Sequence, residues 1–142
     1  EWRPEITIIK DYGNLPLVNC YPEQLNQVFL NLLANAIDAL DELTQSESDW
    51  ENETNSRAIT LRTEMSDDGQ WVSVRIKDNG TGMTQDVQQQ VFDYLFTTKP
   101  VGKGTGLGLA ISRQIVVEKH GGKLTCLSSP GEGSEFMIVI PI

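Results

Sequence analysis

Between Glu23 and about Leu43, apolar residues recur three or four apart, at Leu25, Val28, Phe29, Leu32, Leu33, Ala36 and Leu40. That spacing predicts a long helix with a wide apolar face. Pro22 suits its first position, because proline has no N–H to lose there. A second run, Leu107 to Lys119, has the same period through Leu109, Ile111, Ile115 and Val116, and His120-Gly121-Gly122 ends it. Elsewhere the period is two. Glu5 to Lys10, Arg57 to Met65, Gln70 to Lys77, Lys123 to Ser128 and Glu135 to Ile140 read as strands, with Leu17 to Cys20 as a further short extended piece. Asp67-Asp68-Gly69 is a hairpin turn signal. Thr84 to Val91 reads as a short helix opened by a Thr cap. Residues 44–56 are polar and acidic and read as an exposed loop carrying Trp50. This order predicts an α+β sandwich, one mixed sheet with helices on one face, in a single domain spanning residues 1–142.

Composition narrows the function classes. The chain has 142 residues, 39% hydrophobic and 22% charged, which is enough to bury a core. Its net charge of −9 disfavours nucleic acid as a partner, since phosphate backbones need a basic face. Acidity does not disfavour a single nucleotide, which needs only local amides, a metal and a few lysines. No apolar run reaches the roughly 18 residues that would span a bilayer. Cys20 and Cys126 lack a CxxC pattern and read as small, half-buried residues in a reducing compartment.

Three clusters carry candidate chemistry. Asn31, Asn35 and Asp38 share one face of the first helix as a polar stripe beside the apolar one. Two readings stand: partners in neighbouring loops, or an oxygen-rich stripe for Mg²⁺. Asp78-Asn79-Gly80-Thr81-Gly82 ends a strand, with an acceptor followed by glycines that permit a tight turn or close approach of a ligand. Gly104-Thr105-Gly106-Leu107-Gly108-Leu109 opens the second long helix, where bare amides and the helix dipole favour an anion. No apolar strand precedes it and no GK[ST] follows, so it is neither a dinucleotide fingerprint nor a Walker loop.

The order Asn31-x-x-x-Asn35, DNGTG, Phe92 and Phe96, GTGLGL and GEGSEF resembles the N, G1, F and G2 boxes of sensor histidine kinases, in the family shared with gyrase, the ninety-kilodalton heat-shock chaperone and MutL. The resemblance spans Arg3 to Ile142. It implies a Bergerat-type α/β sandwich of a mixed sheet on three helices, with ATP under a flexible lid from about residue 84 to 105. It further implies that Asp78 accepts the adenine amino proton, with Ser134 supporting it through a water. Gly80, Gly82 and Met83 belong to the same nucleotide-contacting box. Asn35 and Asn31 would hold Mg²⁺ and carry the catalytic role, with Asp38 beside them. Gly104, Thr105 and the amides of Gly106, Leu107 and Gly108 would cradle the phosphates, and Lys99 and Lys103 are candidates to touch them. Phe92 and Phe96 would anchor the lid. The lid's polar, Pro- and Gly-containing sequence predicts low local stability without ligand.

Asn31 stands where ATPase branches commonly carry a Glu base, and an amide has no usable basicity. The resemblance therefore implies an ATP- and Mg²⁺-dependent protein histidine kinase. Its γ-phosphate would pass to a histidine on a separate dimerisation domain and then to a response regulator. His120, the single histidine, is read as structural rather than as that acceptor. The implied setting is cytoplasmic: a monomeric domain of a homodimeric parent that could be membrane-anchored. Alternatives are a protein-serine kinase of the anti-sigma type and an ATPase module of the gyrase or chaperone class.

Overall fold

The computed structural model describes residues 5–46, 57–93, 96 and 108–142, leaving aside the side chains of residues 43–46. In chain order the elements are β1 (Ile6–Tyr12), α1 (Pro22–Ser46), β2 (Arg57–Met65), β3 (Trp71–Asp78), α2 (Gln85–Gln90), α3 (Gly108–Gln114) running into a π turn (Ile115–Lys119), β4 (Lys123–Ser129) and β5 (Gly133–Pro141). The strands form one mixed sheet in the order β1-β2-β3-β5-β4. Only the β1–β2 pair is parallel. Parallel neighbours need a long crossover, and α1 lies on the connection between them. Helices α1 and α3 with its π turn pack together and against one face of the sheet.

Helix α1 forms as its periodicity predicts. The Tyr21 carbonyl accepts the first helical N–H, from Leu25, at 3.0 Å, and Glu23 complements the dipole in the first turn. Leu25, Val28, Leu32, Ala36 and Leu40 are all buried, one per turn, against Ile59, Val72, Ile76, Phe136, Ile138 and Ile140 of the sheet. Each large side chain buried this way contributes roughly 1.5–3 kcal/mol. The β2–β3 hairpin turns where Asp67-Asp68-Gly69 predicts it. The Asp68 carboxylate accepts from Ser66 Oγ at 2.6 Å and from the Gln70 amide at 3.0 Å.

Two elements depart from the sequence reading. The piece from Leu17 to Cys20 joins no strand. The Gly13 amide makes a last bond to the Thr63 carbonyl, after which the chain leaves the sheet edge, and Leu17 is 100% exposed. The second long helix is α-helical only to Gln114, then widens into the π turn. The His120 ring takes the Ile115 carbonyl at 2.9 Å, and the Gly122 amide takes the Val116 carbonyl at 2.9 Å. A Cβ on Gly122 would overlap the Val139 carbonyl oxygen, so the chain turns hard against β5 at this point.

Candidate nucleotide site

The inner face of the sheet is built in rows across the strands. Tyr12, Thr63, Val74, Ile138 and Leu124 form one; Lys10, Leu61, Ile76, Phe136 and Cys126 form the next. The row beyond runs Ile8, Ile59, Asp78, Ser134 and Ser128. At this edge an apolar surface becomes polar, and the change falls on Asp78. The residue is 3% exposed, and its Oδ1 accepts the Gly80 N–H at 2.9 Å. Burial pushes the carboxyl above its ordinary range, while backbone N–H groups of Gly80 and Ser134 pull it back. A carboxylate held in this balance is a buried acceptor at the mouth of the core. Burial, and then the Asp78 charge, push the thiol of nearby Cys126 up to about 12, which disfavours its thiolate. Both cysteines are free and half-buried.

Two glycine loops interlock beside this carboxylate. Gly82 adopts φ +73°, and a Cβ there would overlap the Ser129 carbonyl oxygen. Gly133 adopts φ +88°, and a Cβ there would overlap the Asp78 carbonyl oxygen. The Gly131 amide closes the junction with a 2.7 Å bond to the Thr81 carbonyl. Gly80 has another task. A Cβ there would come within 2.9 Å of the Ala39 backbone, so glycine lets this loop lie directly on α1. Asn79 Oδ1 accepts the Ala58 amide at 2.9 Å and ties the loop to β2.

Ser128 was missed by the sequence reading and sits at the centre of this end. Its hydroxyl receives the Met83 N–H at 2.8 Å, lies 2.8 Å from the Gly133 carbonyl oxygen, and lies 2.7 Å from Ser134 Oγ. Its backbone is gripped by Gln88 of α2, whose Nε2 donates to the Ser128 carbonyl at 2.8 Å and whose Oε1 accepts the Ser128 N–H at 3.2 Å. The signal was present in the period of two: Leu124, Cys126 and Ser128 alternate inward, so a serine falls where the pattern calls for an apolar side chain. The hydroxyl of Ser134 therefore meets Ser128, and its main chain meets Asp78. Met83 has its N–H engaged and its side chain packed against the core.

The stripe on α1 serves the other end. Asn31 Nδ2 donates to the Gly108 carbonyl at 3.1 Å and to Ser112 Oγ at 3.1 Å, while Ser112 Oγ donates to the Gly108 carbonyl at 2.7 Å. Ser112 is 0% exposed, a second residue that composition alone did not mark. Both amide hydrogens of Asn31 face α3, which leaves Oδ1 as its only atom able to ligate a cation. Asn35 and Asp38 are half-buried on the same face, and both are engaged with partners. From Ala39, under Gly80, to Asn31, under Gly108, the axis of α1 advances about 12 Å, with Asn35 midway. Gly108 is described; Lys99, Lys103, Gly104, Thr105, Gly106 and Leu107 lie outside the described residues.

The start of the predicted lid is docked. Thr84 Oγ1 caps α2 by accepting the Val87 N–H at 3.3 Å. Val91 is buried, and the Phe92 ring meets Phe136 edge-on with centroids 6.1 Å apart. The Phe96 amide bonds the Asp93 carbonyl at 3.2 Å. His120 is engaged through both ring nitrogens. Nε2 accepts the Tyr21 N–H at 3.0 Å, so the proton is on Nδ1, facing the Ile115 carbonyl. This neutral ring joins the end of the π turn to the start of α1.

A buried acceptor whose loop lies over Ala39 and a helix start at Gly108 over Asn31, about two turns apart along α1, frame a candidate ATP site. The chain belongs to the family described as histidine kinase-, DNA gyrase B-, and HSP90-like ATPase, whose model matches residues 20–142. Membership implies a site for ATP.

Within that family its relatives are sensor kinases. It is 35% identical to the sensor protein TdiS of Thauera aromatica over 89% of this chain and 21% of that protein. It is 36% identical to the signal transduction histidine-protein kinase AtoS of Escherichia coli over 99% of this chain and 20% of that one. The chain thus spans about a fifth of either relative. The catalytic domain of histidine kinase ThkA, solved nucleotide-free, superposes with a TM-score of 0.74 at 29% identity, covering 96% of this chain and 80% of that one. The fold is that of a histidine kinase catalytic domain. Among the described residues no helix is long and apolar enough to cross a membrane.

Proposed function

We propose that this domain binds Mg-ATP along α1, between the Asp78 edge of the sheet and the start of α3, and presents the γ-phosphate to a histidine on another domain of its parent. The observation that carries the reading is the placement of two unlike polar groups, the buried Asp78 and the Asn31–Gly108 junction, about two turns apart along one face of α1. Asp78, a buried acceptor, suits the adenine amino group, with Ser134 beside it and Gly80, Gly82 and Met83 forming the loop around it. Asn31 and Asn35 present amide oxygens, which suit a hard cation, with Asp38 next on the stripe. The Gly108 amide at the start of α3 suits phosphate; Gly104, Thr105, Gly106 and Leu107, together with Lys99 and Lys103 as point charges, are proposed to join it from the sequence pattern alone. Bound Mg²⁺ would supply charge neutralisation on the phosphates. Full-length ShkA, similar to this chain at 25% identity and a TM-score of 0.75 over 96% of this chain and 25% of that one, was solved with AMPPNP.

Asn31 favours phosphoryl transfer over hydrolysis. Its amide hydrogens hold α3 through Gly108 and Ser112. A Glu base at this position would set a carboxylate against the Gly108 carbonyl. With an amide instead of a Glu base at position 31, the γ-phosphate waits for an imidazole, and the domain's part is positioning and charge neutralisation. The parent would be a homodimeric two-component kinase acting on the cytoplasmic side, with its own histidine-bearing hairpin as first acceptor and a response regulator after it. Calorimetry with ADP and a non-hydrolysable ATP analogue tests this. Binding of the analogue should tighten at least tenfold with Mg²⁺, and Asn35→Ala should abolish that gain while leaving ADP binding without metal. No binding at millimolar nucleotide would refute it.

A further inference from the structure

The hydroxyl network around Ser128 has one direction. A hydroxyl oxygen offers one proton and two lone pairs. Ser128 Oγ lies 2.8 Å from the Gly133 carbonyl oxygen, which can only accept, so the Ser128 proton goes there. Were it turned to Ser134 instead, two acceptors would face each other at that distance. The Met83 N–H fills one Ser128 lone pair at 2.8 Å. The 2.7 Å contact with Ser134 fills the other only if Ser134 is the donor. The chain therefore reads Ser134 to Ser128 to Gly133, and Ser134 Oγ has no proton left to give.

Ser134 stands between Ser128 and Asp78 in one cross-strand row, and Asp78 is itself an acceptor. At this edge, then, the Asp78 carboxylate and the Ser134 hydroxyl both present lone pairs. A purine carrying a 6-amino group brings hydrogens to that edge, whereas a 6-oxo purine brings an oxygen against oxygens. We infer that Ser128, by fixing the Ser134 hydroxyl as an acceptor, is a positioning residue that sets selectivity for 6-amino over 6-oxo purines. Gln88 holds the Ser128 backbone through both its N–H and its C=O, so the reference point of the chain is rigid. Removing the Ser128 hydroxyl frees the Ser134 proton to rotate toward the ligand and donate to a 6-oxo group.

The inference rests on the nucleotide reading above, and the test separates the two. ADP and IDP, which differ only at the 6 position and its proton on the ring, are titrated calorimetrically against the wild-type domain, Ser128→Ala, Ser128→Thr, Ser134→Ala and the Ser128→Ala/Ser134→Ala pair, with folding checked by thermal unfolding. Wild type should prefer ADP. The preference should fall at least tenfold in Ser128→Ala and return in Ser128→Thr, which keeps the hydroxyl. The double variant should be no less selective than Ser134→Ala alone, because both act on one acceptor. A merely structural role would weaken both ligands and leave their ratio alone. An unchanged ratio in folded Ser128→Ala, with ADP still bound, overturns the inference only. Should Ser128→Ala not fold, an unchanged ratio in Ser134→Ala overturns it equally. Absence of ADP binding by wild type overturns the nucleotide reading and the inference with it.

Discussion

Asp78 is buried, and burial raises its carboxyl above the ordinary 3.8. A raised value in the folded state means that folding disfavours the charged form. Well below pH 3.8 both folded and unfolded states carry the proton, and the penalty is absent. It builds as pH rises through the folded-state value and is complete above it. Asp78→Asn should therefore melt higher than wild type at pH 7, with the difference closing toward pH 3. The same variant should bind ADP about tenfold to a hundredfold more weakly, the usual range for losing a hydrogen bond to a charged group. Melting curves and titrations on one preparation check both. Higher stability with retained affinity would remove Asp78 from the adenine site. Asp78 was legible in the sequence as an acceptor at a strand end. Its burial was not, because its cross-strand partners Ile59 and Ser134 come from strands far along the chain.

At the scale of elements, the glycine boxes are two loops that fit only together. Gly82 and Gly69 have nearly the same φ, +73° and +70°. A Cβ on Gly69 meets nothing within 4 Å, whereas one on Gly82 strikes the Ser129 carbonyl. Gly69→Ala should cost about 1 kcal/mol, the strain of a left-handed residue alone. Gly82→Ala should cost at least about 2 kcal/mol more, since backbone of the facing loop must move. Urea unfolding of the two variants measures the difference, and equal costs would show that the loops do not depend on each other. The turn residues DNGTG and SSPGEG were readable one at a time, because Gly and Asp have local conformational preferences. That each glycine is needed by the opposite loop was not readable, since the contact joins residues about fifty positions apart. The π turn was likewise hidden. Its apolar period matches an α-helix through Val116, and the widening depends on the His120 ring and on the Gly122 approach to β5.

At the scale of the whole molecule, the structure gives the single histidine a structural task, which suits the proposed function, in which the phosphoacceptor lies on another domain. Phosphorylation of His120 at Nε2 would remove the acceptor of the Tyr21 N–H, and Nδ1 already faces the Ile115 carbonyl. Incubated alone with labelled ATP, this domain should incorporate no acid-labile, base-stable phosphate. His120→Ala should instead lower stability by about 1–2 kcal/mol through two lost hydrogen bonds. Label appearing on His120 would overturn both the structural role of this ring and the proposed division of labour with another domain.

The sequence by itself determined the five strands of the sheet, the helices apart from the π turn, the side of α1 that enters the core, the polar stripe of Asn31, Asn35 and Asp38, and the family. All of these depend on residue type and on short-range period, which a linear chain carries openly. Only the tertiary structure decided that Asn31 turns its amide hydrogens to Gly108 and Ser112, that Gly82 and Gly133 lock two loops, and that Ser128 orients Ser134. Those facts depend on which hydrogen-bonding groups meet across strands and helices, and on the single proton that each hydroxyl can give. Direction in such a network follows from the whole set of neighbours, and folding brings those neighbours together.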